Sequence, residues 1–507
     1  MTYTFQPYLD EIRGNWYEED PLLHRLLRHH ASPSEEDWAG DLRRWGQRVS
    51  GPLRELAEES ALPSNRPRVQ HFDAYQHRVD RIVLPSSTLR ALAEVEGREG
   101  LGAPSGDPFL FYARTYLYVQ NGESGVGCSI ACTDGMVRVL EALGDHAIHE
   151  EAVQNIRSST EERVWHGAQF VTEIQGGSDV PANRTEAIRE PDGFRIVGRK
   201  WFCSNINADY FLVTARPSEG GGDGSPVGLF FVPARLPGER GRNGHSVDRL
   251  KDKLGTRELA TAEVTFHGAR AYPVGPLDRG LSNLIRHVLV PSRFHCVLIS
   301  AASLRRARRI VDAYTGFRRA FGHALDEYSL VAETLDEIRR TQERSLASVF
   351  GLVDAWEKAR AEGSDDGSGQ EALDFRILLS LCKPVLTRAA TRMIHESMML
   401  LGGNGIEERF SPLPRLHRDA VIMETWEGPH NVLLTQALRD LMRYEVDAEG
   451  FLTRILEDPD PRLVDELREI LGERSGGRLD PQAVLPRFRR MAPDLVNAFA
   501  DRILDEV

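Results

Sequence analysis

A short β-rich stretch lies between two long helical stretches, and this order constrains the fold more than any other feature of the sequence. Residues 1 to about 168 carry apolar side chains at helical spacing, as in the run that begins Asp20-Pro-Leu-Leu-His. From about 170 to 275, short apolar runs alternate with turn signals, and Pro191-Asp-Gly predicts the turn of a β-hairpin. The sequence therefore predicts a mostly α protein with a central β domain.

Helical patterns return after about residue 278, with predicted helices over 293–321, 325–360 and 374–401 and a polar linker at 363–370. Past residue 445 we expect short helices, broken at Pro459, Pro461 and Pro481. Interfaces between such segments favour ligand sites, so we expect a cofactor at their junction. We divide the chain into an N-terminal helical domain (1–168), a middle β domain (169–276), a C-terminal helical bundle (277–444) and a C-terminal helical extension (445–507).

The bulk properties are those of a globular protein in a reducing compartment. With 507 residues the chain is too long for one compact core, and its net charge of −13 argues against a nucleic-acid partner. The five cysteines form no CxxC pair, which fits reduced thiols. We see no secretory signal and no apolar stretch of the roughly 18 to 20 residues that a bilayer span needs. We therefore expect a cytoplasmic protein with no membrane partner.

The β-rich stretch contains a glycine-bearing run, Val171-Thr-Glu-Ile-Gln-Gly-Gly-Ser-Asp-Val. Its two glycines allow the backbone to approach a ligand closely, and the side chains of Thr172 and Ser178 can hydrogen-bond that ligand. Backbone N–H groups exposed in such a run suit an anion such as a pyrophosphate. From these residues alone, a plain glycine turn between strands explains the run at least as well.

A carboxylate in the C-terminal half is the candidate catalytic group. Glu427 lies in Met423-Glu-Thr-Trp-Glu-Gly-Pro-His-Asn, beside an aromatic residue and before an apolar helical run. Such surroundings should partly desolvate the carboxylate and make it a stronger base. The alternative is an acid at a helix N-terminus, where the helix dipole stabilises its charge. Upstream, the glycines of Met399-Leu-Leu-Gly-Gly-Asn-Gly again allow close approach of a ligand.

Three more motifs are Gly198-Arg-Lys-Trp-Phe-Cys-Ser-Asn, Lys253-Leu-Gly-Thr-Arg and Arg318-Arg-Ala-Phe-Gly. Together with the runs described above, they resemble the signatures of the acyl-CoA dehydrogenase family and follow the family order over residues 165–442. Asn15-Trp-Tyr-Glu-Glu-Asp and Trp426-Glu-Gly-Pro-His-Asn resemble its AidB-like branch in particular. The chain departs from the family where Cys203 and Ser204 replace a Thr and an Asn, and where Met399 replaces a Gln, Asp or Glu. The resemblance implies the acyl-CoA dehydrogenase-like fold and FAD as the cofactor.

The resemblance also implies a role for each matching residue. Glu427 is the catalytic base, because the other position at which family members carry a base is occupied here by Ser292. Arg318 reaches the FAD pyrophosphate of a neighbouring subunit. The residues expected to bind FAD are Thr172, Ser178, Trp201, Cys203, Ser204, Arg318, Gly402 and Gly403. Ser178, Arg293 and Gly428 are expected to contact the substrate, and no metal is expected.

The implied reaction is FAD-dependent dehydrogenation of acyl-CoA or another acyl thioester. Glu427 removes the α-proton and the β-hydride passes to flavin N5, which leaves an α,β-double bond. Electron-transfer flavoprotein or a similar acceptor reoxidises the flavin, and the protein is a homo-oligomer built as a dimer of dimers.

Two other functions stay open at this point. One is a flavin oxidase or monooxygenase on the same fold, and the other is an AidB-like DNA-associated stress flavoprotein. From residue 445 onward the chain has nine Arg, no Lys and fifteen Asp or Glu, so we do not expect DNA binding.

Overall fold

A computed structural model of the protein describes residues 3–30, 36–218, 226–238, 241–362, 369–472 and 480–507. Most of the predicted polar linker at 363–370 lies outside these residues. The chain forms two compact units. A helical unit comprises Met1–Pro52, Gly106–Gly122 and Arg293–Val507, and a β unit comprises Leu53–Ser105 and Glu123–Ser292.

The α-helices, numbered in chain order, are α1 Gln6–Glu11, α2 Pro21–His30, α3 Glu36–Ser50, α4 Pro52–Ser60, α5 Ser86–Leu92, α6 Pro108–Val119, α7 Gly127–Leu143, α8 Ala147–Arg157, α9 Gly280–Leu284, α10 Val290–Phe317, α11 Ser329–Ala361, α12 Gln370–Leu400, α13 Leu413–Thr425, α14 His430–Arg443, α15 Ala448–Leu456, α16 Pro461–Leu471 and α17 Pro481–Glu506. The strands are β1 Arg68–Phe72, β2 Arg78–Val83, β3 Gly167–Phe170, β4 Glu186–Glu190, β5 Gly193–Ser204, β6 Tyr210–Pro217, β7 Gly228–Pro233, β8 His245–Leu250, β9 Thr261–Pro273, β10 Arg319–Ala320 and β11 His323–Ala324.

In the β unit, strands pair in the order β6-β4-β5-β9-β7, and β7 pairs again with β6, so these five strands close into a ring. β3 joins β6 in parallel, and β8 joins β9 antiparallel. β4 and β5 form the predicted hairpin, with Glu190 opposite Gly193. The strands share a core that includes the fully buried rings of Phe170, Phe211 and Phe230. Burial of such large apolar side chains is the main force that holds the strands together.

β5 carries an extra residue next to its partner strand. Lys200 lies opposite Val264 and Cys203 opposite Ala262, so three steps along β5 match two steps along β9. This arrangement is a β-bulge, which bends a strand and changes the side to which the following side chains point. The bulge lies within the predicted flavin-binding motif.

The sequence pattern predicted a helical segment up to about residue 168, and this prediction is wrong for one part of it. β1 and β2 form an antiparallel hairpin in the β unit, and Val69 and Ile82 pack against the core of the strands. Asp80 of β2 accepts hydrogen bonds from Arg78 Nε and from the backbone N–H of Val247 in β8. The sequence pattern did not predict the hairpin, because polar residues separate its apolar ones, one face of β1 is exposed and its other face is only partly buried.

The helical unit is built on long helices that pack side by side. α12 packs against α11, α13 and α14, and α17 packs against α11 and α14. The helix predicted over 293–321 ends earlier, because α10 stops at Phe317 and the chain turns into the β10–β11 hairpin. The predicted short helices of the extension are α15 and α16, but α17 is a single helix of 26 residues that contains Pro486 and Pro493. Pro481 begins that helix, where a proline costs no hydrogen bond.

One helical stretch differs from the expectation that no segment could span a membrane. Leu277–Phe317 is long and apolar enough by length and composition. Its apolar window is 89% buried inside the protein, as is usual for a core helix, so the stretch by itself is weak support for a membrane span.

Candidate active site

In the β unit, the first glycine-bearing motif is anchored by a buried ion pair. Lys200 Nζ of β5 donates to Glu173 Oε1 at 2.8 Å, and both side chains are almost completely buried. Glu173 also accepts the backbone N–H groups of Arg184 at 2.7 Å and Thr185 at 3.1 Å. A buried carboxylate that accepts several such bonds fixes the backbone around it. The pair therefore holds the chain on both sides of the exposed glycine loop.

The pKa values of this pair show that both groups are charged at neutral pH. Burial opposes ionisation of Glu173, but the charge of Lys200 and the accepted hydrogen bonds outweigh it and lower the pKa of the carboxyl to about 2. Burial lowers the pKa of Lys200 to about 8, against the opposing charge of Glu173. The sequence reading gave neither residue a role, although Glu173 follows Thr172 in the signature and Lys200 precedes Trp201.

The loop between Glu173 and Val180 is exposed. Ser178 lies on its surface, and a Cβ at Gly176 would meet no atom of the described residues within 4 Å. A Cβ at Gly177 would lie 2.9 Å from Thr172 Oγ1, so the loop folds back tightly on the threonine. The Thr172 carbonyl accepts the backbone N–H of Trp201 at 2.9 Å, which brings the two predicted flavin-binding motifs together.

The bulge in β5 separates the aromatic side chains from the cysteine. Trp201 is half-buried and Phe202 is 49% exposed, and Lys251 Nζ lies 3.4 Å from the centroid of the tryptophan ring. Cys203 is completely buried in the core of the strands, where burial raises the pKa of its thiol. Ser204 Oγ is 3.1 Å from the hydroxyl of Thr261. In a regular strand, Trp201 and Cys203 would share a face, and the bulge removes that relationship.

In the helical unit, Glu427 lies in the short connection between α13 and α14, which we call the base turn (residues 426–429). It lies three residues before the first residue of α14 and is not part of that helix. Its backbone has φ +55°, a region that residues other than glycine rarely adopt. Gly428 follows with φ +111°, and a Cβ there would lie 2.8 Å from Leu433 Cδ2. The backbone at Glu427 is therefore strained, and that at Gly428 leaves no room for a side chain.

Two buried cations donate hydrogen bonds to the backbone of this region. Arg293 Nε of α10 donates to the Glu427 carbonyl at 2.8 Å, and Lys383 Nζ of α12 donates to the carbonyls of Glu424 and Gly428, each at 2.8 Å. Arg293 is 5% exposed, and its buried Nη1 makes no hydrogen bond within the described chain. Burial lowers the pKa of Arg293, against the opposing charge of Glu427. The predicted residues Arg293, Glu427 and Gly428 thus come together. Lys383 also contacts this region, and the sequence did not predict it.

The remaining predicted residues lie near Tyr314 at the end of α10. The Tyr314 carbonyl accepts the backbone N–H of Arg318 at 2.8 Å, and its hydroxyl accepts Asn404 Nδ2 at 2.9 Å. Arg318 Nη1 donates to the hydroxyl of Tyr3 at 2.8 Å. Gly402 and Gly403 precede Asn404, and in the part of the chain that the structure describes no atom would lie within 4 Å of a Cβ on either. Their backbone is open to a ligand.

The turn after Arg318 explains why α10 ends where it does. Phe321 and Gly322, at the tip of the β10–β11 hairpin, have φ +50° and +95°. Two consecutive positive φ angles are typical of the tight type I′ hairpin turn, which a helix cannot contain. Phe321 is 97% exposed at this tip.

Comparison with known proteins agrees with these motifs. Two family models match: acyl-CoA dehydrogenase, middle domain, over residues 168–269, and acyl-CoA dehydrogenase, C-terminal domain, over residues 278–442. Acyl-CoA dehydrogenase family member 11 of Caenorhabditis elegans is 33% identical over 443 residues, which cover 84% of this chain and 70% of that protein. AidB of Escherichia coli (strain K12) is 29% identical over 464 residues, which cover 87% of this chain and 81% of AidB.

A solved structure extends the likeness to almost the whole chain. The crystal structure of Caenorhabditis elegans ACDH-11 in complex with C11-CoA matches with a TM-score of 0.84 at 27% identity, covering 97% of this chain and 87% of that one. The predicted fold class is thereby confirmed. On the strength of both domain matches and of these relatives, the chain belongs to the acyl-CoA dehydrogenase family and to its AidB-like branch.

Proposed function

We propose that the protein is an FAD-dependent acyl-CoA dehydrogenase in which Glu427 removes the α-proton of an acyl thioester. The observation that carries this proposal is the base turn. Glu427 is held there at φ +55°, with Arg293 hydrogen-bonded to its carbonyl. Backbone strain of this kind persists only where the surrounding structure enforces it, and it is concentrated at functional sites.

The residues of the chain fit FAD as the cofactor. The main chain at Gly176, Gly402 and Gly403 is open, since a Cβ at any of them would meet no described atom within 4 Å. A bulky ligand can therefore approach it closely. Trp201, half-buried beside Phe202, offers an aromatic face to a ring system. We assign FAD binding to Thr172, Ser178, Trp201, Ser204, Arg318, Gly402 and Gly403. Because its thiol is buried, Cys203 would contribute only its main chain.

In the proposed reaction, the Glu427 carboxylate takes the α-proton of the thioester and the bond from the β-carbon to hydrogen breaks. The two carbons are left joined by a double bond. When bound, FAD supplies the ring that accepts the hydride. Arg293 has a buried N–H group with no partner among the described residues, which can donate to a substrate oxygen and stabilise charge that develops on it. The base turn holds the carboxylate in place for the proton transfer.

The test is anaerobic titration of the purified flavoprotein with a series of acyl-CoA thioesters, followed by the flavin spectrum. We expect bleaching with at least one chain length. Glu427→Gln should bind flavin normally and reduce it about 10²- to 10⁴-fold more slowly. Glu396→Gln, a change at a partly exposed position on α12, is the matched control and should behave like the parent. Parent-like reduction in Glu427→Gln would overturn the base assignment.

We further propose coenzyme A as the carrier, since the nematode relative ACDH-11 was solved with C11-CoA. An electron-transfer flavoprotein or a similar acceptor would reoxidise the flavin in the cytoplasm.

Arg318 would act across a subunit interface, in a dimer of dimers, where a guanidinium suits phosphate oxygens. Light scattering would give the number of subunits, and Arg318→Ala should lose flavin if this assignment holds.

The electrostatics of the C-terminal extension weigh against a DNA-associated role. Several of its arginines are already paired with carboxylates: Arg454 with Asp374, Arg487 with Glu466 and Arg502 with Glu457. Such pairs leave less positive charge for phosphates. A salt-dependent shift of duplex DNA would favour that role instead, and oxygen consumption coupled to turnover would favour the oxidase or monooxygenase.

A further inference from the structure

Lys383 is a charged side chain in an unusual place. It lies in the interior of α12, directly before Pro384, and its side chain is completely buried. A buried ammonium is costly unless hydrogen bonds satisfy it. Its Nζ donates to the carbonyl oxygens of Glu424 and Gly428, each at 2.8 Å. These two residues flank Glu427 on either side in the sequence.

The first of these carbonyls belongs to the end of a helix. Glu424 lies in the last turn of α13, where backbone carbonyls have no partner within the helix. A cation at this end both satisfies the carbonyl and interacts favourably with the helix dipole. Lys383 thus fixes the point at which the chain leaves α13.

The second carbonyl lies on the far side of the base. Gly428 has φ +111° and follows Glu427 at φ +55°, so two consecutive residues depart from ordinary backbone geometry. A residue other than glycine at a positive φ, such as Glu427, is strained and needs support from its surroundings. With Arg293 on the Glu427 carbonyl, Lys383 provides that support from a second helix.

The charged and titratable groups of the described chain that interact with Lys383 lie in three helices and the base turn. They are Arg293 and Cys296 of α10, Glu424 of α13, Glu427 of the base turn and His430 of α14. Burial lowers the pKa of Lys383 to about 8, and the carboxylates of Glu427 and Glu424 favour its charged form. At neutral pH the ammonium is therefore a cation close to the catalytic carboxylate.

We propose that Lys383 is the positioning residue of the base: by clamping the two carbonyls that flank Glu427, it fixes the direction of the carboxylate toward the substrate. The proposal rests on the role of Glu427 proposed above. It assigns Lys383 an effect on the rate of proton removal and not on substrate binding, because its Nζ is occupied by the backbone and the side chain is buried.

The test compares Lys383→Met, which keeps the length of the side chain without its donors, with Arg392→Met, an exposed change on the same helix. In the holoprotein, we expect hydrogen exchange of the amides in residues 424–430 to rise at least about tenfold in Lys383→Met only. We expect kcat to fall about 10- to 100-fold, as for a small misplacement of a catalytic group, with KM within about twofold and flavin content unchanged.

The two readouts separate this inference from the proposed function. If none of the thioesters reduces the flavin of the parent protein, the proposed function fails. Hydrogen exchange still tests whether Lys383 holds the base turn. Unchanged exchange and unchanged kcat in Lys383→Met would overturn the inference, as would a large rise in KM with kcat unchanged. If Lys383→Met does not fold, Lys383→Gln shortens the reach to both carbonyls and replaces it, with the same expected results.

Discussion

Replacing Lys200 by methionine would test how the β unit holds its glycine loop. The change removes one partner of the buried pair with Glu173 and keeps most of the volume of the side chain. Breaking a buried ion pair from one side costs about 3 to 5 kcal/mol, because a charge is left buried without compensation. The charge of Lys200 and its hydrogen bond are the main causes that outweigh burial and hold the pKa of Glu173 at about 2, so the carboxylate depends on Lys200 to stay charged.

Thermal unfolding, followed by circular dichroism, measures this loss. For a unit of this size, about 3 to 5 kcal/mol corresponds to a fall in melting temperature of about 10 °C. The neighbouring Arg199→Met is the matched control, since Arg199 pairs with Asp248 at 3.1 Å and is largely exposed. Exposed pairs contribute about 1 kcal/mol or less, so we expect a fall of no more than about 2 °C.

A second substitution checks that the buried charge is the cause. In Lys200→Met with Glu173→Gln, the neutral amide can still accept the backbone N–H groups of Arg184 and Thr185. We expect this double variant to recover about half of the fall in melting temperature, since no unpaired buried charge is left. If Lys200→Met melts within about 2 °C of Arg199→Met, the argument from the buried ion pair is refuted.

Three further predictions concern the same two regions. The pKa of Glu173 is lower in the folded than in the unfolded protein, so its contribution to stability is complete above pH 4.5 and is lost as the pH falls toward 2. Between pH 7 and pH 3, the melting temperature should therefore fall more steeply in the parent than in Lys200→Met. Gly403→Ala should leave the melting temperature of the cofactor-free protein unchanged, since its Cβ meets nothing, but should lower flavin affinity in a binding titration if the cofactor approaches this backbone. Gly428→Ala should reduce kcat at least about tenfold in a steady-state assay, because a Cβ at φ +111° would lie 2.8 Å from Leu433 Cδ2 and shift the base turn, whereas parent-like turnover would contradict the strain assigned to it.

The sequence predicted the parts of the fold that depend on local pattern. The β4–β5 hairpin follows from its turn residues, and the long helices follow from apolar spacing. The early end of α10 was missed because Arg318-Arg-Ala-Phe-Gly reads as a continuation of helix. Only the positive φ angles of Phe321 and Gly322 reveal the turn.

Two residues that the family motifs single out come together in the structure. Arg293 and Glu427 lie 134 positions apart and are joined by one hydrogen bond, while their roles stay predictions. The partners Lys383 and Lys200 could not be predicted in the same way. A lysine in a helix or strand is usually on the surface, and only tertiary packing shows that these two are buried.

The β-bulge between Lys200 and Cys203 has a consequence for how this stretch can change during evolution. Substitutions at Cys203 alter only the core, because the thiol does not reach the surface. Loss of one residue would restore regular alternation and turn either the lysine or the aromatic pair to the opposite face. We therefore expect related chains to vary in the identity of residues here but not in their number, so that gaps in this stretch would accompany loss of flavin binding.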